Sequence, residues 1–487
     1  MISVRLLSVS GHVVPMRTRF PFRYGIAAMT VAPHLFLKVE AEIAGRLVSG
    51  QASEGLPPKW FTKDPATTFE EDLPGMQAAI RKAADWGIEA GPQPDFFTWW
   101  RTLYEAQTFW ADAGHIPPLL AHLGTSLMER ALLDAFCRAV GQPLHSAVKD
   151  NLLGIRPGIL HPELGNATAA DLLPPERAPE IIARHTVGLS DPLTDGDILP
   201  EDDARDGLPQ SLEACIRAYG LTHFKIKLCG QLDRDQARLR DLARLLPRLV
   251  PGHRFTLDGN EQFHDLAGFR AHWEACLADP QLEEFLSPRH LLFVEQPVHR
   301  DHALDAHIER DLAIWADAPP LIIDESDATI HSATRALELG YSGTSHKNCK
   351  GVLKGLVNAC LLRHRSSLPG ARPTILSGED LANVGPVALL QDLAVMHLLG
   401  LTHVERNGHH YFKGLSMLST EIQNATVQSH GDLYRLHEGG FPTLDVRKGK
   451  IQLASVRKAH FGTAFDIWPL LPHGTPIGEL EIALALG

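Results

Sequence analysis

The sequence has 487 residues, of which 44 per cent are hydrophobic, so it is long enough to form two or three globular domains. Its 46 basic and 58 acidic residues give a net charge of −12, which disfavours nucleic acid as a partner because phosphate binding needs a basic surface. No apolar run approaches the ~20 residues of a membrane helix, and the scattered cysteines predict reduced thiols in a cytoplasmic protein.

The first part of the chain changes from strand-like to helical patterning. Residues 1–60 are β-rich, and 35–43 alternate clearly between apolar and polar positions. Residues 65–150 have helical spacing of apolar residues. Residues 155–210 are rich in Pro, Asp and Gly, which predicts mostly loop with one short strand near 186–189.

Strand-like and helix-like segments alternate from about 207 to 405. Helices are predicted at 233–246 and 352–363, among others. The predicted strands are 224–228, 254–258, 291–295, 321–324, 343–347 and 374–377. Such alternation indicates a parallel sheet, and this many units in about 200 residues favours a closed barrel. No Gly-x-Gly-x-x-Gly follows the early strands, which disfavours a dinucleotide-binding fold.

These patterns predict an α/β protein in three parts. Residues 1–155 form an α+β capping domain, and 156–405 form a modified (β/α)8 TIM-type barrel with an inserted loop near 155–207. Residues 406–487 are again strand-like and are expected to return to the capping domain.

Each predicted barrel strand ends in or just before an ionisable residue. Successive members of this series lie 23 to 37 residues apart, about one strand and one helix. They are Lys227, Asp258, Glu295, Asp324, Lys347 and Glu379. Any one of them alone is an ordinary strand-end residue, but in a parallel barrel all of them meet at the face where barrel active sites lie.

Three adjacent carboxylates in this series indicate a cation site. Asp258, Glu295 and Asp324 would repel one another unless a cation neutralised them. Carboxylate oxygens from three strands, with room for water and substrate, suit Mg²⁺. No His or Cys occupies these positions, which disfavours zinc.

The lysines suggest acid–base chemistry. Lys227 and Lys347 end the second and sixth strands, so they lie on opposite walls of an eight-stranded barrel. A substrate carboxylate bound to the metal would lie between them, and either face of its α-carbon could lose a proton. Lys225 shares a strand face with Lys227, and its like charge, together with the Mg²⁺, is expected to lower the pKa of Lys227.

Together these motifs resemble the enolase superfamily, within it the muconate-lactonizing-enzyme-like group that is often grouped with mandelate racemase. The matching segments are Lys225-Ile-Lys227, Asp258-Gly-Asn260, Glu295-Gln-Pro, Asp324-Glu-Ser and Lys347. The resemblance implies Mg²⁺ ligands at Asp258, Glu295 and Asp324, with Glu325 competing for the third place. It also implies a general acid–base pair at Lys227 and Lys347, a modulating role for Lys225, Asn260 near the metal and Glu379 near the substrate.

In this family two capping-domain loops close over the substrate. Here they correspond to residues near 20–25 and 54–60, with Arg23, Tyr24, Lys59 and Trp60 as candidate substrate contacts. Cationic groups there would suit a second acidic or hydroxylated group on the substrate. The alternative is that the aromatic residues only fill a domain interface.

The implied activity is Mg²⁺-dependent removal of the α-proton of a small carboxylate through a metal-stabilised enolate. Racemisation, epimerisation and cycloisomerisation all suit two lysines, and acid-sugar dehydration is the nearest alternative. More distant alternatives are a Schiff-base aldolase and a catalytically silent protein. The long segment 155–207, the long tail and the missing paired glycines after Lys347 depart from the family pattern. A homo-oligomer is expected by analogy alone.

Overall fold

The structure, a computed structural model, describes residues 1–175 and 177–484. Within those residues, no helix has both the length and the apolar character needed to cross a membrane.

The N-terminal region forms an antiparallel sheet covered by three helices. Its strands are β1 (Val4–Tyr24), β2 (Ala27–Ile43) and β3 (Arg46–Gly55), and its helices are α1 (Phe69–Glu89), α2 (Phe96–Ala113) and α3 (Pro118–Val140). The predicted alternation at 35–43 lies within β2, where Leu35, Leu37 and Val39 are fully buried. α3 packs across β3 and is buried along nearly its whole length. An apolar core therefore lies between the sheet and the helices.

Close packing of α3 on β3 depends on Gly50. A Cβ atom at this position would collide with the carbonyl oxygen of Ala131 and the backbone nitrogen of Ala135. We expect Gly50→Ala to lower the free energy of unfolding by about 1–3 kcal/mol, because backbone atoms cannot yield as side chains do. Urea denaturation measures this. Gly252→Ala is the control, since nothing lies within 4 Å of a Cβ there, and an equal loss in both variants would contradict the packing argument.

The segment predicted to be mostly loop contains a barrel strand. Short helices α4 (Leu144–Lys149), α5 (Pro157–Leu160) and α6 (Ala169–Leu172) lead to β4 (Glu180–Val187). The prediction placed a strand near 186–189 and missed its first six residues. The physical reason is that β4 buries polar side chains at Arg184, His185 and Thr186, so the apolar alternation that marks a strand is absent.

Eight parallel strands form a closed barrel, as predicted. The strands run in chain order and β11 pairs with β4 to close the ring. The further strands are β5 (His223–Lys227), β6 (Arg254–Asp258), β7 (Leu291–Glu295), β8 (Leu321–Ile323), β9 (Gly343–His346), β10 (Ile375–Gly378) and β11 (His403–Arg406). The helices after β4 to β11 are α7 (Leu212–Tyr219), α8 (Leu232–Leu249), α9 (Leu266–Leu277), α10 (His307–Ala313), α11 (Ser332–Leu339), α12 (Val352–Ser367), α13 (Ala388–Leu399) and α14 (Gly408–Tyr411).

The C-terminal tail contacts both parts of the molecule. It contains α15 (Thr420–Ser429), β12 (Tyr434–Leu436), β13 (Pro442–Leu444), β14 (Lys450–Gln452), α16 (Ala454–Lys458) and β15 (Thr475–Pro476). β14 pairs antiparallel with β4 of the barrel, and β15 pairs antiparallel with β1 of the N-terminal sheet. The domain limits at 155 and 405 stay predictions.

Apolar residues of the N-terminal sheet also cover the carboxyl end of the barrel. Phe20 and Phe22 of β1 pack against Tyr411 of α14, in a small core of their own. This contact places the tips of β1 and β2 over the strand ends that carry the candidate site residues.

Candidate active site

Strand register brings the predicted site residues together. Lys227 of β5 pairs with Asp258 of β6, which pairs with Glu295 of β7. Asp324 follows directly after β8 and Lys347 directly after β9. All five are at most 8 % exposed, and they share the carboxyl end of the barrel.

Lys225 lies at the centre of four carboxylates. Its Nζ is 3.0 Å from Asp258 Oδ2, 2.8 Å from Glu295 Oε2, 2.7 Å from Glu379 Oε2 and 3.1 Å from Glu405 Oε2. Burial alone would lower the pKa of Lys225, but the four carboxylates raise it well above its usual value. The ammonium group therefore joins strands β6, β7, β10 and β11 from inside the barrel.

The two proposed bases face the cavity from opposite sides. β5 and β9 are four strands apart in the ring, as predicted for Lys227 and Lys347. Lys227 Nζ donates to Asp258 Oδ2 at 2.6 Å, and Lys347 Nζ donates to Asp324 Oδ2. Burial lowers the pKa of Lys347, but the Asp324 carboxylate more than offsets this and the pKa is raised.

The expected influence of Lys225 on Lys227 stays a prediction. The prediction attributes it to the like charge of Lys225 together with Mg²⁺. Four carboxylates contact the Lys225 ammonium group, so its positive charge is compensated within the barrel.

Asp324 and Glu325 occupy different environments. Asp324 accepts hydrogen bonds from Lys347, from Ser345 and, at 3.1 Å, from Lys350. These lysines hold the pKa of Asp324 well below its usual range despite burial. Burial and then the Asp324 charge raise the pKa of Glu325 to about 7, and Glu325 Oε2 is buried without a hydrogen-bond partner. Both residues line the cavity, so the competition for the third ligand position remains.

Asn260 follows Asp258 in a strained loop. Its φ of 42° is the left-handed region, which Asn tolerates better than most residues. Its backbone N–H donates to Asp258 Oδ1 at 2.8 Å, and its side-chain Oδ1 is buried without a partner. The turn thus orients Asp258, and the cavity-lining Asn260 keeps a buried amide oxygen without a partner.

The residue types at this face fit Mg²⁺. Carboxylate and amide oxygens surround the cavity, two of them on Glu325 and Asn260 lack hydrogen-bond partners, and Mg²⁺ prefers such oxygen ligands. Among the described residues, Asp258, Glu295 and Asp324 do not bring one oxygen each within 4.8 Å of the other two. Ammonium groups hold these oxygens instead, so Mg²⁺ binding requires Lys225, Lys227 and Lys347 to release them.

The cavity above the charged residues has a largely apolar wall. The space there, including the part open to solvent, is about 420 Å³ and lies between the barrel mouth and the tips of the N-terminal sheet. Its upper wall consists of Phe22, Tyr24, Met29, Pro57, Trp60, Leu381 and Ala382. Of the predicted loop contacts, Tyr24 and Trp60 lie here, and Lys347 Nζ is 5.3 Å from the centre of the Trp60 ring.

The two cationic loop candidates lie outside the cavity wall. Lys59 Nζ is bonded to Asp72 Oδ2 at 2.7 Å and to Thr67 Oγ1 at 2.6 Å, so its charge is already neutralised. The Arg23 side chain is 42 % exposed and its Nη1 lies 4.0 Å from Asp202 Oδ2. Neither side chain contributes a cation to the cavity in this arrangement.

Sequence reasoning missed residues that position the predicted ones. Arg184 of β4, fully buried, bonds Glu379 and also donates to Ser377 Oγ at 2.9 Å. Glu405 of β11 binds Lys225 and accepts from Thr186 Oγ1 at 2.7 Å. Glu405 lies 26 residues after Glu379, so extending the series of strand-end charges by one unit could have found it.

A second missed group ties the capping loop to the barrel. Lys63 Nζ and Arg300 Nε bond Glu261 at 2.9 Å and 2.7 Å, and these contacts lower the pKa of Glu261 to about 2 despite burial. Arg300 also donates to the Trp60 carbonyl at 3.1 Å. The ion pairs therefore hold the Trp60 loop over the cavity.

Solved structures of several enolase-superfamily proteins resemble this fold. A mandelate racemase/muconate lactonizing protein from Herpetosiphon aurantiacus has a similar structure, with a TM-score of 0.57 and 19% identity over 94% of this chain and 98% of that one. The chain has the enolase-superfamily fold. The N-succinyl Arg/Lys racemase of Bacillus cereus ATCC 14579 has a TM-score of 0.56 and 14% sequence identity, over 95% of this chain and 98% of that one. An enolase from Bradyrhizobium complexed with magnesium and mandelic acid has a TM-score of 0.53 and 16% sequence identity, over 92% of this chain and 93% of that one.

No protein-family model and no curated protein sequence matches the chain. The similarity is therefore one of fold, at identities too low to carry an activity across.

Proposed function

We propose that the protein removes the α-proton of a small carboxylate substrate in a Mg²⁺-dependent reaction, as a racemase, epimerase or cycloisomerase. The observation that carries this proposal is the pair Lys227 and Lys347, two buried ammonium groups from strands four apart that line one cavity with Asp258 and Asp324. The enolase-superfamily fold supports it, since similar structures are named as racemases and lactonizing enzymes.

Asp258, Glu295 and Asp324 would hold the Mg²⁺, with Glu325 as the alternative to Asp324. When bound, the ion supplies positive charge that stabilises the negative charge developing on the substrate carboxylate. Released from Asp258 and Asp324, Lys227 and Lys347 lie on opposite faces of the α-carbon. One lysine in its neutral form accepts the α-proton and the other, still charged, donates one.

Lys225 holds the remaining carboxylates in place. It contacts Glu379, which Arg184 also binds, and Glu405, which accepts from Thr186. These contacts hold the two carboxylates beneath the substrate, where they do not occupy its binding position. Glu379 is 1 % exposed and doubly ion-paired. Its role is therefore to position Lys225 rather than to bind substrate directly.

Two alternatives are less well supported. Acid-sugar dehydration in the resembling family more often uses a His-Asp pair with the His on the seventh barrel strand, where this chain has the ion-paired Glu379. A Schiff-base aldolase with Lys227 or Lys347 as the nucleophile would give the three carboxylates Asp258, Glu295 and Asp324 no purpose. The cytoplasmic location and homo-oligomeric state stay predictions.

The cavity wall indicates the class of carboxylate. The substituent of the substrate would meet Phe22, Met29 and Trp60 rather than a cation, because Lys59 is neutralised and Arg23 points outward. We therefore expect an apolar or aromatic substituent on the α-carbon, which differs from the acidic or hydroxylated group that the loop sequence suggested.

A test is α-proton exchange in D₂O, followed by NMR for a panel of carboxylates with apolar, acidic and hydroxylated substituents. We expect Mg²⁺-dependent deuterium incorporation, fastest for the apolar members. Exchange confined to acidic or hydroxylated members would overturn the substrate class. Mg²⁺ binding without exchange in any member would overturn the proposed reaction.

Trp60 is expected to contribute to substrate affinity. Trp60→Ala should raise KM about tenfold or more for the best exchanged carboxylate, because it removes a buried aromatic contact from the cavity. Phe109→Ala, which removes a 76 % exposed aromatic ring that does not line the cavity, is the control and should change KM less than about twofold. Equal KM values for the Trp60 variant and the wild type would place the substrate elsewhere.

A further inference from the structure

A cluster of thiol and imidazole groups lies on the outer side of the barrel seam. Arg184 and Thr186 of β4 contact carboxylates inside the barrel, so His185 between them points to the opposite face. There it meets Cys215 of α7 and His410 of α14. One candidate ligand atom of each lies within 4.8 Å of the other two, and all three side chains are buried. Within 1–175 and 177–484 no other three His, Cys, Asp or Glu residues meet this condition.

The spacing inside the cluster suits a tetrahedral ion. Cys215 Sγ lies 3.6 Å from His410 Nδ1. A zinc ion with Zn–S of about 2.3 Å, Zn–N of about 2.0–2.1 Å and tetrahedral angles separates S from N by about 3.6 Å. The sulfur and nitrogen atoms are thus placed as two ligands of one such ion would be.

The surroundings orient the imidazoles as metal ligands require. The other ring nitrogen of His410, Nε2, faces Asp191 Oδ2 at 3.7 Å, and Asp191 accepts from Tyr411 Oη at 2.6 Å. A carboxylate behind a ligating His is the usual second contact at zinc sites. His185 Nδ1 lies 3.2 Å from His409 Nε2, and His409 Nδ1 is buried without a hydrogen-bond partner.

We propose that Cys215, His185 and His410 bind one zinc-class transition-metal ion, separate from the carboxylate site in the barrel mouth. The Cys215 thiol loses its proton to solvent as the sulfur–metal bond forms, and each imidazole donates one nitrogen lone pair. The thiolate and the Asp191 carboxylate then balance the charge of the divalent ion. His409, whose Nε2 contacts His185 Nδ1, is the group behind that ligand. Thiolate and imidazole donors favour zinc-class ions over Mg²⁺.

The position of the cluster gives the ion a structural role. His185 belongs to the first barrel strand, Cys215 to the first barrel helix, and His410 to the helix after the eighth strand, where β11 closes on β4. Arg19 of β1 donates to the His410 carbonyl at 2.6 Å, and the Phe20 ring is 5.0 Å from the His410 ring. An ion here would hold the barrel seam together beside the tip of β1.

The test is Co²⁺ titration of the full chain, monitored by absorption. Co²⁺ bound by a thiolate gives a charge-transfer band in the near ultraviolet, whereas Co²⁺ at an all-oxygen site does not. We expect one equivalent with this band, displaced stoichiometrically by Zn²⁺ and unchanged in Glu295→Gln. The band should be absent in Cys215→Ser and retained in Cys276→Ser, which removes another buried thiol.

Three results would overturn the proposal. The first is a folded wild-type protein without the band, which would leave only a thiol–imidazole hydrogen bond. The second is loss of the band in Cys229→Ser with retention in Cys215→Ser, which would assign it to the most accessible thiol. The third is retention of the band in His410→Gln. The wild-type titration decides the matter even if Cys215→Ser fails to fold.

Discussion

Lys347→Ala is expected to lower the rate of α-proton exchange by about 10²–10⁴-fold. Lys347 is buried and lines the cavity opposite Lys227, so its loss leaves one face of the α-carbon without an acid or base. In a racemase, Lys347→Ala should abolish exchange from one enantiomer and Lys227→Ala exchange from the other. Deuterium incorporation into each enantiomer of a carboxylate that the wild type exchanges measures both effects.

Lys347→Arg shows whether the reaction needs Lys347 as a base or only its positive charge. It keeps a cation beside Asp324 but cannot deprotonate near neutral pH, so we expect the same loss as in Lys347→Ala. If Lys347→Arg restores exchange, Lys347 acts only as a charge. If Lys347→Ala exchanges both enantiomers at the wild-type rate, the base lies elsewhere.

Arg130→Met is expected to lower the free energy of unfolding by about 3–5 kcal/mol. Arg130 of α3 donates to Glu54 Oε2 at 2.8 Å and to the Ser53 carbonyl at 2.9 Å, and both partners of the ion pair are fully buried. Removing the guanidinium leaves the Glu54 carboxylate buried without its cation, which costs more than the pair itself contributes. Thermal and urea denaturation measure the effect.

Two further variants show whether the unpaired charge is the cause. Arg130→Met combined with Glu54→Leu should recover most of the lost stability, because no charge is then left buried. Arg101→Met breaks an ion pair to Glu105 whose side chains are 37 % and 64 % exposed, and should cost about 0.5 kcal/mol or less. Similar losses in Arg101→Met and Arg130→Met would contradict this account.

The barrel could be predicted because its strands obey simple patterns. The limits predicted for β6 and β7, 254–258 and 291–295, agree with the structure. Apolar and polar residues alternate in β6, β7 is a continuous apolar run, and both strands end in a carboxylate. Parallel strands then bring those ends together whatever the details of packing. This is why the predicted strand-end charges lie within one face of the barrel.

What the sequence left open depends on contacts distant along the chain. Lys59 points away from the cavity because Asp72 binds it, and Arg23 lies near Asp202, neither of which a local pattern reveals. β4 was largely missed because Arg184 and Thr186 are buried through partners on β10 and β11. The cluster of His185, Cys215 and His410 was not predicted for the same reason. Cys215 lies about 30 residues from His185 and about 195 from His410 along the chain.

Calorimetric titration with Mg²⁺ shows whether Asp258, Glu295 and Asp324 form a cation site. We expect one bound ion per chain in the wild type. Glu295→Gln should weaken binding about 100-fold or more, while Glu284→Gln, at a carboxylate 70 % exposed on the surface, should leave it unchanged. No Mg²⁺ binding by the folded wild type, or equal binding in Glu295→Gln, would contradict the account.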